Sequence, residues 1–139
     1  MKPTSLLVLM GLCSIGLSQV QTSENKAILR QVQTRGFYNG RYWNATSDFG
    51  KNNYIIGFLE GLSEAPPEAI RRYDTGELSV NEVRAAIDRF YTQPDNTLIP
   101  VFEAFQIVGM RIHGASESVI DARLSVFRKF ANEPQQRDK

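Results

Sequence analysis

The sequence predicts an all-α fold: a compact bundle of four to five short helices following a cleaved signal peptide. Two observations carry that prediction. Several segments repeat apolar residues at helical spacing behind recognisable capping residues, and no run alternates apolar with polar as a half-buried strand would. No repeat of solenoid period links the segments, which differ in length and spacing.

The chain opens with Met1-Lys2-Pro3-Thr4 and an apolar run from Leu6 to Leu17. Gly16 and Ser18 supply the small-x-small pattern of a signal-peptidase site, so cleavage is expected near Ser18, before Gln19. The run is shorter than the roughly 20 residues of a spanning helix. Leu12 before Cys13 is too large for a lipidation signal. Residues 1–18 therefore read as a signal peptide, which implies a periplasmic or secreted protein with no transmembrane segment in the mature chain.

Residues 19–36 form a polar N-terminal segment with only Ile28 and Val32 as an apolar stripe. A helical domain is expected over 37–132, and residues 133–139 make a polar tail that frays. Within the domain, Ser47 or Asp48 caps a helix over about 48–63, whose apolar positions are Tyr54, Ile55, Phe58, Leu59 and Leu62. Pro66-Pro67 ends it and opens a short helical turn through Tyr73. Ser79-Val80-Asn81-Glu82 has the form of a capping box and starts a helix over about 79–92 with Val83, Ile87 and Phe90 inward. A helix over about 98–113 carries Val101, Phe102, Phe105, Val108 and Ile112, and closes at His113-Gly114. Ser116 caps the last, over about 116–131, with Ile120, Leu124 and Phe127 inward.

Composition excludes several function classes. The 139 residues hold 16 Lys and Arg against 15 Asp and Glu, and the leader carries only Lys2. The mature chain therefore lacks the basic surplus that nucleic-acid binding needs. The single cysteine, Cys13, lies in the leader, so neither a disulfide nor a thiolate metal site is expected, and no cofactor or metal motif appears. His113 is the only histidine, and its place at a helix C-terminus is explained by the helix dipole.

Gly57 and Gly61 stand one turn apart in a helix, where each costs about 1 kcal/mol relative to alanine. The expected reason is close approach of another helix, and the alternative is a shallow groove walled by Tyr54 and Phe58. Phe37, Tyr38, Tyr42, Trp43, Phe49, Tyr54 and Phe58 crowd the first half of the domain. Phe49, Tyr54 and Phe58 are expected in the core. Tyr42 and Trp43 are the candidates for anchoring a partner, because tyrosine and tryptophan dominate binding hot spots. Glu60 and Asp88 are the carboxylates on which a hydrolase would depend, and their pairing cannot be read from sequence.

Trp43, the run Tyr54-Ile55-Ile56-Gly57-Phe58-Leu59-Glu60-Gly61, and Phe90-Tyr91-Thr92-Gln93-Pro94 together resemble the Rap/Tai family of small exported helical immunity proteins of type VI secretion systems. The likeness spans roughly residues 40–130. It implies that Tyr54, Gly57, Phe58, Gly61, Phe90, Tyr91 and Pro94 hold the fold. It further implies a non-catalytic periplasmic protein that neutralises a cell-wall hydrolase effector by binding it. The expected partner is thus another envelope protein, with a homo-oligomer also compatible. The alternative from the residues alone is a small exported hydrolase using Glu60 or Asp88.

Overall fold

The computed structural model describes residues 25–133; the expected signal peptide over 1–18, the first part of the polar segment over 19–24 and the tail from 134 onward lie outside the described residues. Two compact units divide the chain, Met1–Gln31 and Val32–Lys139. Residues 25–32 are helical (α1). A two-stranded antiparallel hairpin follows, β1 (Gln33–Thr34) paired with β2 (Phe37–Tyr38). This hairpin is an addition to the expected all-helical pattern. Each strand is two residues long, too short for alternation to register. Its turn residues Arg35 and Gly36 both have positive φ, at 51° and 85°, which suits a tight two-residue hairpin turn.

The rest is helical: α2 (Gly40–Ala45), α3 (Asp48–Ser63), α4 (Pro67–Tyr73), α5 (Val80–Phe90), a 3₁₀ turn at Pro94–Asn96, α6 (Val101–Ile112) and α7 (Glu117–Asn132). The expected side-chain caps form on α3 and α5, whereas Ser116 is the N-cap residue of α7 but makes no side-chain cap bond. Ser47 Oγ accepts from Gly50 N, and Ser79 with Glu82 forms the reciprocal capping box. The unexpected helix α2 is capped by Asn39, whose Oδ1 accepts from the N–H groups of Arg41 and Tyr42. Gly114 closes α6 at φ 72°, the left-handed conformation that favours glycine.

Helix α6 is central, packing against α4, α5 and α7, while α3 lies on α4 and α5. Phe105, Ile107, Ile87, Val83, Ile55, Ile99 and Ile120 are fully buried around it, with Phe90, Leu124 and Phe127 nearly so. Phe102 is only half-buried, its ring edge-on to Phe37 and Tyr73. Gly109 lets α6 press on the loop after α4, since a Cβ there would lie 2.5 Å from the Asp74 carbonyl oxygen. His113 continues that contact, its Nε2 lying 3.1 Å from Asp74 Oδ2.

Two expectations for α3 are corrected. Phe49 is 77% exposed and not in the core. It precedes Phe58 by nine residues, which at 100° per residue puts it on the opposite side of the helix. Gly57 and Gly61 do not receive another helix: both are exposed, and a Cβ built on either meets nothing within 4 Å. The buried line of α3 runs through Ile55, and Gly57 lies about 200° round from it.

Candidate functional site

The aromatic residues form two ring clusters, one running from Tyr38 through Tyr42 to Tyr54 and one joining Phe58, Tyr73, Phe102 and Phe37. Tyr38, on β2, stacks on Tyr42 of α2 with ring centroids 3.9 Å apart. Tyr42 leans on Tyr54 at 6.4 Å, and Tyr54 meets the Trp43 ring edge-on at 6.2 Å. Phe58 lies one turn beyond Tyr54 and packs on Tyr73 and Phe105. The other β2 side chain, Phe37, lies edge-on to Phe102 at 4.9 Å. Offset and edge-to-face pairs of this kind are favoured by the ring quadrupole. The outermost members are Phe37 and Tyr38, at 53% and 37% exposure. Burial, then the neighbouring phenols of Tyr42 and Tyr38, push the Tyr54 hydroxyl up to about 12, so it stays a neutral donor.

Of the two expected anchors, Tyr42 belongs to the surface of the first cluster and Trp43 does not. Trp43 has no exposed area. Its Nε1–H donates to Asp88 Oδ1 at 2.7 Å, and Lys51 Nζ donates to the same oxygen at 2.8 Å. A large side chain on a six-residue helix is buried by what packs over it, here α3 and α5, and its one polar atom is satisfied there. Trp43 is therefore a core residue and is withdrawn as an anchor. Asp88 becomes the bracket that joins α2, α3 and α5.

Phe90 and Tyr91 are buried. Tyr91 donates its hydroxyl to the Ile99 carbonyl at 2.9 Å, and burial, then Tyr54 and Glu103, hold its phenol well above its ordinary value. Pro94 opens the 3₁₀ turn and stays exposed. Two asparagines that the sequence reading gave no site role tie this region together. Asn39, fully buried, donates Nδ2 to Thr34 Oγ1 at 3.1 Å, and Thr34 donates to the Leu98 carbonyl at 2.6 Å. Asn96, 3% exposed, donates Nδ2 to the Phe90 carbonyl at 2.8 Å and accepts from Arg128 Nε and Nη2. Asn96 sits in a corner bounded by Pro94 and Pro100, where asparagine readily bonds the loop backbone.

Glu60 is exposed on α3. Glu103, which belongs to no sequence motif, is the carboxylate with an unusual environment. It occupies the third position of α6, where a capping-box glutamate would accept from the N-cap N–H. The N-cap here is Pro100, which has none to offer, and Glu103 Oε2 is buried without a partner. Burial pushes its carboxyl from an ordinary 4.5 up to about 7, with Arg123 pulling the other way. Glu82, at the same position of α5, receives both Ser79 groups and is lowered instead.

Among the described residues, no three His, Cys, Asp or Glu side chains are placed to hold a metal ion, and no helix is long and apolar enough to cross a membrane. No known protein family matches the chain, nor does any curated protein or solved structure.

Proposed function

We propose that the mature chain is an exported, non-catalytic binding domain of the immunity-protein type, occupying a cell-wall hydrolase in the envelope. The observation that supports it is the Tyr38–Tyr42 stack at the rim of the first aromatic cluster. Stacked tyrosines are stiff, bury large apolar area and lose little entropy on binding. The resemblance of Tyr54 to Gly61 and Phe90 to Pro94 to the Rap/Tai pattern points the same way, and the apolar leader supports a periplasmic or secreted location. Gly57 and Gly61, open to solvent beside this helix's exposed Ile56, leave α3 a smooth outer face on which a partner can approach closely.

One observation favours the hydrolase reading: Glu103 keeps a proton near neutrality, as a general acid must. Against it, Glu103 Oε2 is buried, and Asp88 is engaged by Trp43 and Lys51. The deciding experiment measures affinity of the mature chain for purified cell-wall hydrolases. Tyr38→Ala with Tyr42→Ala should weaken binding at least tenfold at unchanged thermal unfolding. Turnover of peptidoglycan fragments by the chain itself, abolished by Glu60→Gln, Asp88→Asn or Glu103→Gln, would overturn the proposal.

A further inference from the structure

A cleft of about 330 Å³ opens beside the proline corner, between Arg41 of α2 and Arg128 near the end of α7. Its chemistry is unusually well defined for a surface feature. Arg128 gives its side-on edge, Nε and Nη2, to Asn96 Oδ1 at 3.1 and 2.8 Å. Asn96 is itself buried and pinned to the Phe90 carbonyl, so the guanidinium is held in one orientation before any ligand arrives. Among the described residues, no acceptor meets the end-on edge, formed by Nη1 and the second Nη2 hydrogen. A planar fork of that kind matches a carboxylate with two parallel hydrogen bonds. Among the described residues neither Arg41 nor Arg128 forms a salt bridge.

Charge narrows the choice of ligand. Two arginines against Asp95, which also lines the cleft, leave one net positive charge. That balances a monoanion and disfavours a dianion such as phosphate, whose second charge would face the Asp95 carboxylate. The remaining polar groups select what sits beside the anion. Thr97 donates its hydroxyl proton to the Pro94 carbonyl at 2.8 Å, and Asn132 donates Nδ2 to the Arg128 carbonyl at 2.8 Å. Each therefore keeps an oxygen that accepts, suited to the N–H of an amide. Leu98 supplies an apolar wall for a short side chain. The volume lies at the small end of ligand cavities, roughly 300–1,000 Å³, which suits one or two residues.

We infer that this cleft captures the C-terminal carboxylate of a peptide, with Arg128 and Arg41 gripping the carboxylate and Thr97 and Asn132 the last amide N–H. The site is separate from the aromatic clusters, and its test is independent of the binding-domain reading. The experiment is an NMR titration of the full mature chain with N-acetyl-Ala-Ala as the free acid, as its C-terminal amide, and with inorganic phosphate. The free acid should bind saturably, shifting the Arg128 Nε–H and Asn96 side-chain signals, and the amide should bind at least tenfold more weakly. Arg41→Gln, at an exposed site with no packing role, should weaken the acid at least fivefold with unchanged thermal unfolding. Asp95→Asn should tighten it. Equal binding of acid and amide, no saturable shift at millimolar peptide, or tighter binding of phosphate than of the acid would each overturn the assignment.

Discussion

The missing cap partner of Glu103 has a measurable consequence for stability against pH. In the folded chain its carboxyl titrates at about 7, against an ordinary 4.5 once unfolding returns it to water. Between those values the folded state holds a proton that the unfolded state has released. Stability therefore falls as pH rises through this window, and levels off above about 7. At 1.36 kcal/mol for each pKa unit, the full difference corresponds to about 3.4 kcal/mol. The side chain is only half-buried, so solvent screens part of that, leaving about 1–2 kcal/mol. Glu103→Gln keeps the shape and the neutral polar character of the protonated acid while removing the titration. The assay is urea unfolding of wild type and Glu103→Gln at pH 5, 6, 7 and 8. The two should agree near pH 5 and diverge by pH 8, where the variant is more stable by about 1–2 kcal/mol. Taking the difference removes contributions common to both proteins. Parallel profiles across the range would refute the account and place the Glu103 carboxylate in contact with water or a donor.

Gly109→Ala should destabilise by about 1–3 kcal/mol or more, because the new Cβ meets backbone at Asp74 rather than a side chain that can move. Chemical denaturation checks it, and a loss below about 0.5 kcal/mol would mean the loop yields freely. Gly57→Ala and Gly61→Ala should each stabilise by about 0.5–1 kcal/mol, since both sit in a helix with open space around them. A decrease in thermal midpoint would restore the packing explanation. Trp43→Phe should cost about 1–3 kcal/mol, removing a donor from Asp88 and part of a fully buried ring. If its tryptophan fluorescence in the wild-type chain is quenched freely by acrylamide, the burial of Trp43 is wrong.

The longer helices were legible because local rules and tertiary packing agree there. Helix α3 runs over the expected residues, and α5, α6 and α7 fall within three residues of expectation at each end. Helix α2 was not legible. Six residues give fewer than two turns, too few for a period to show, and its cap Asn39 reads equally well as a turn residue. Phe49 misled because composition places a phenylalanine inside, while its angular position on the helix places it outside. Trp43 and Asp88 lie 45 residues apart, and nothing local announces that one will satisfy the other. The cleft was hidden for the same reason. Arg128 looks like one more charge on the outer face of α7 until Asn96, 32 residues earlier, fixes its direction.

The β1–β2 hairpin near the start of the domain is held by partners near its end. Thr34 bonds to the carbonyl of Leu98, Arg35 pairs with Glu133 at 3.0 Å, and the Arg35 guanidinium lies 3.9 Å over the Phe130 ring. A chain made from its N-terminus therefore cannot finish this corner until Glu133 has emerged. The hairpin closes a loop of 98 residues, so its docking is among the most entropically delayed steps of assembly. By the same reasoning it is a place where the finished fold can open, at the cost of parting Phe37 from Phe102 on α6. The two ends of the domain act as a clasp, and tension applied to either end reaches this corner before it reaches the core.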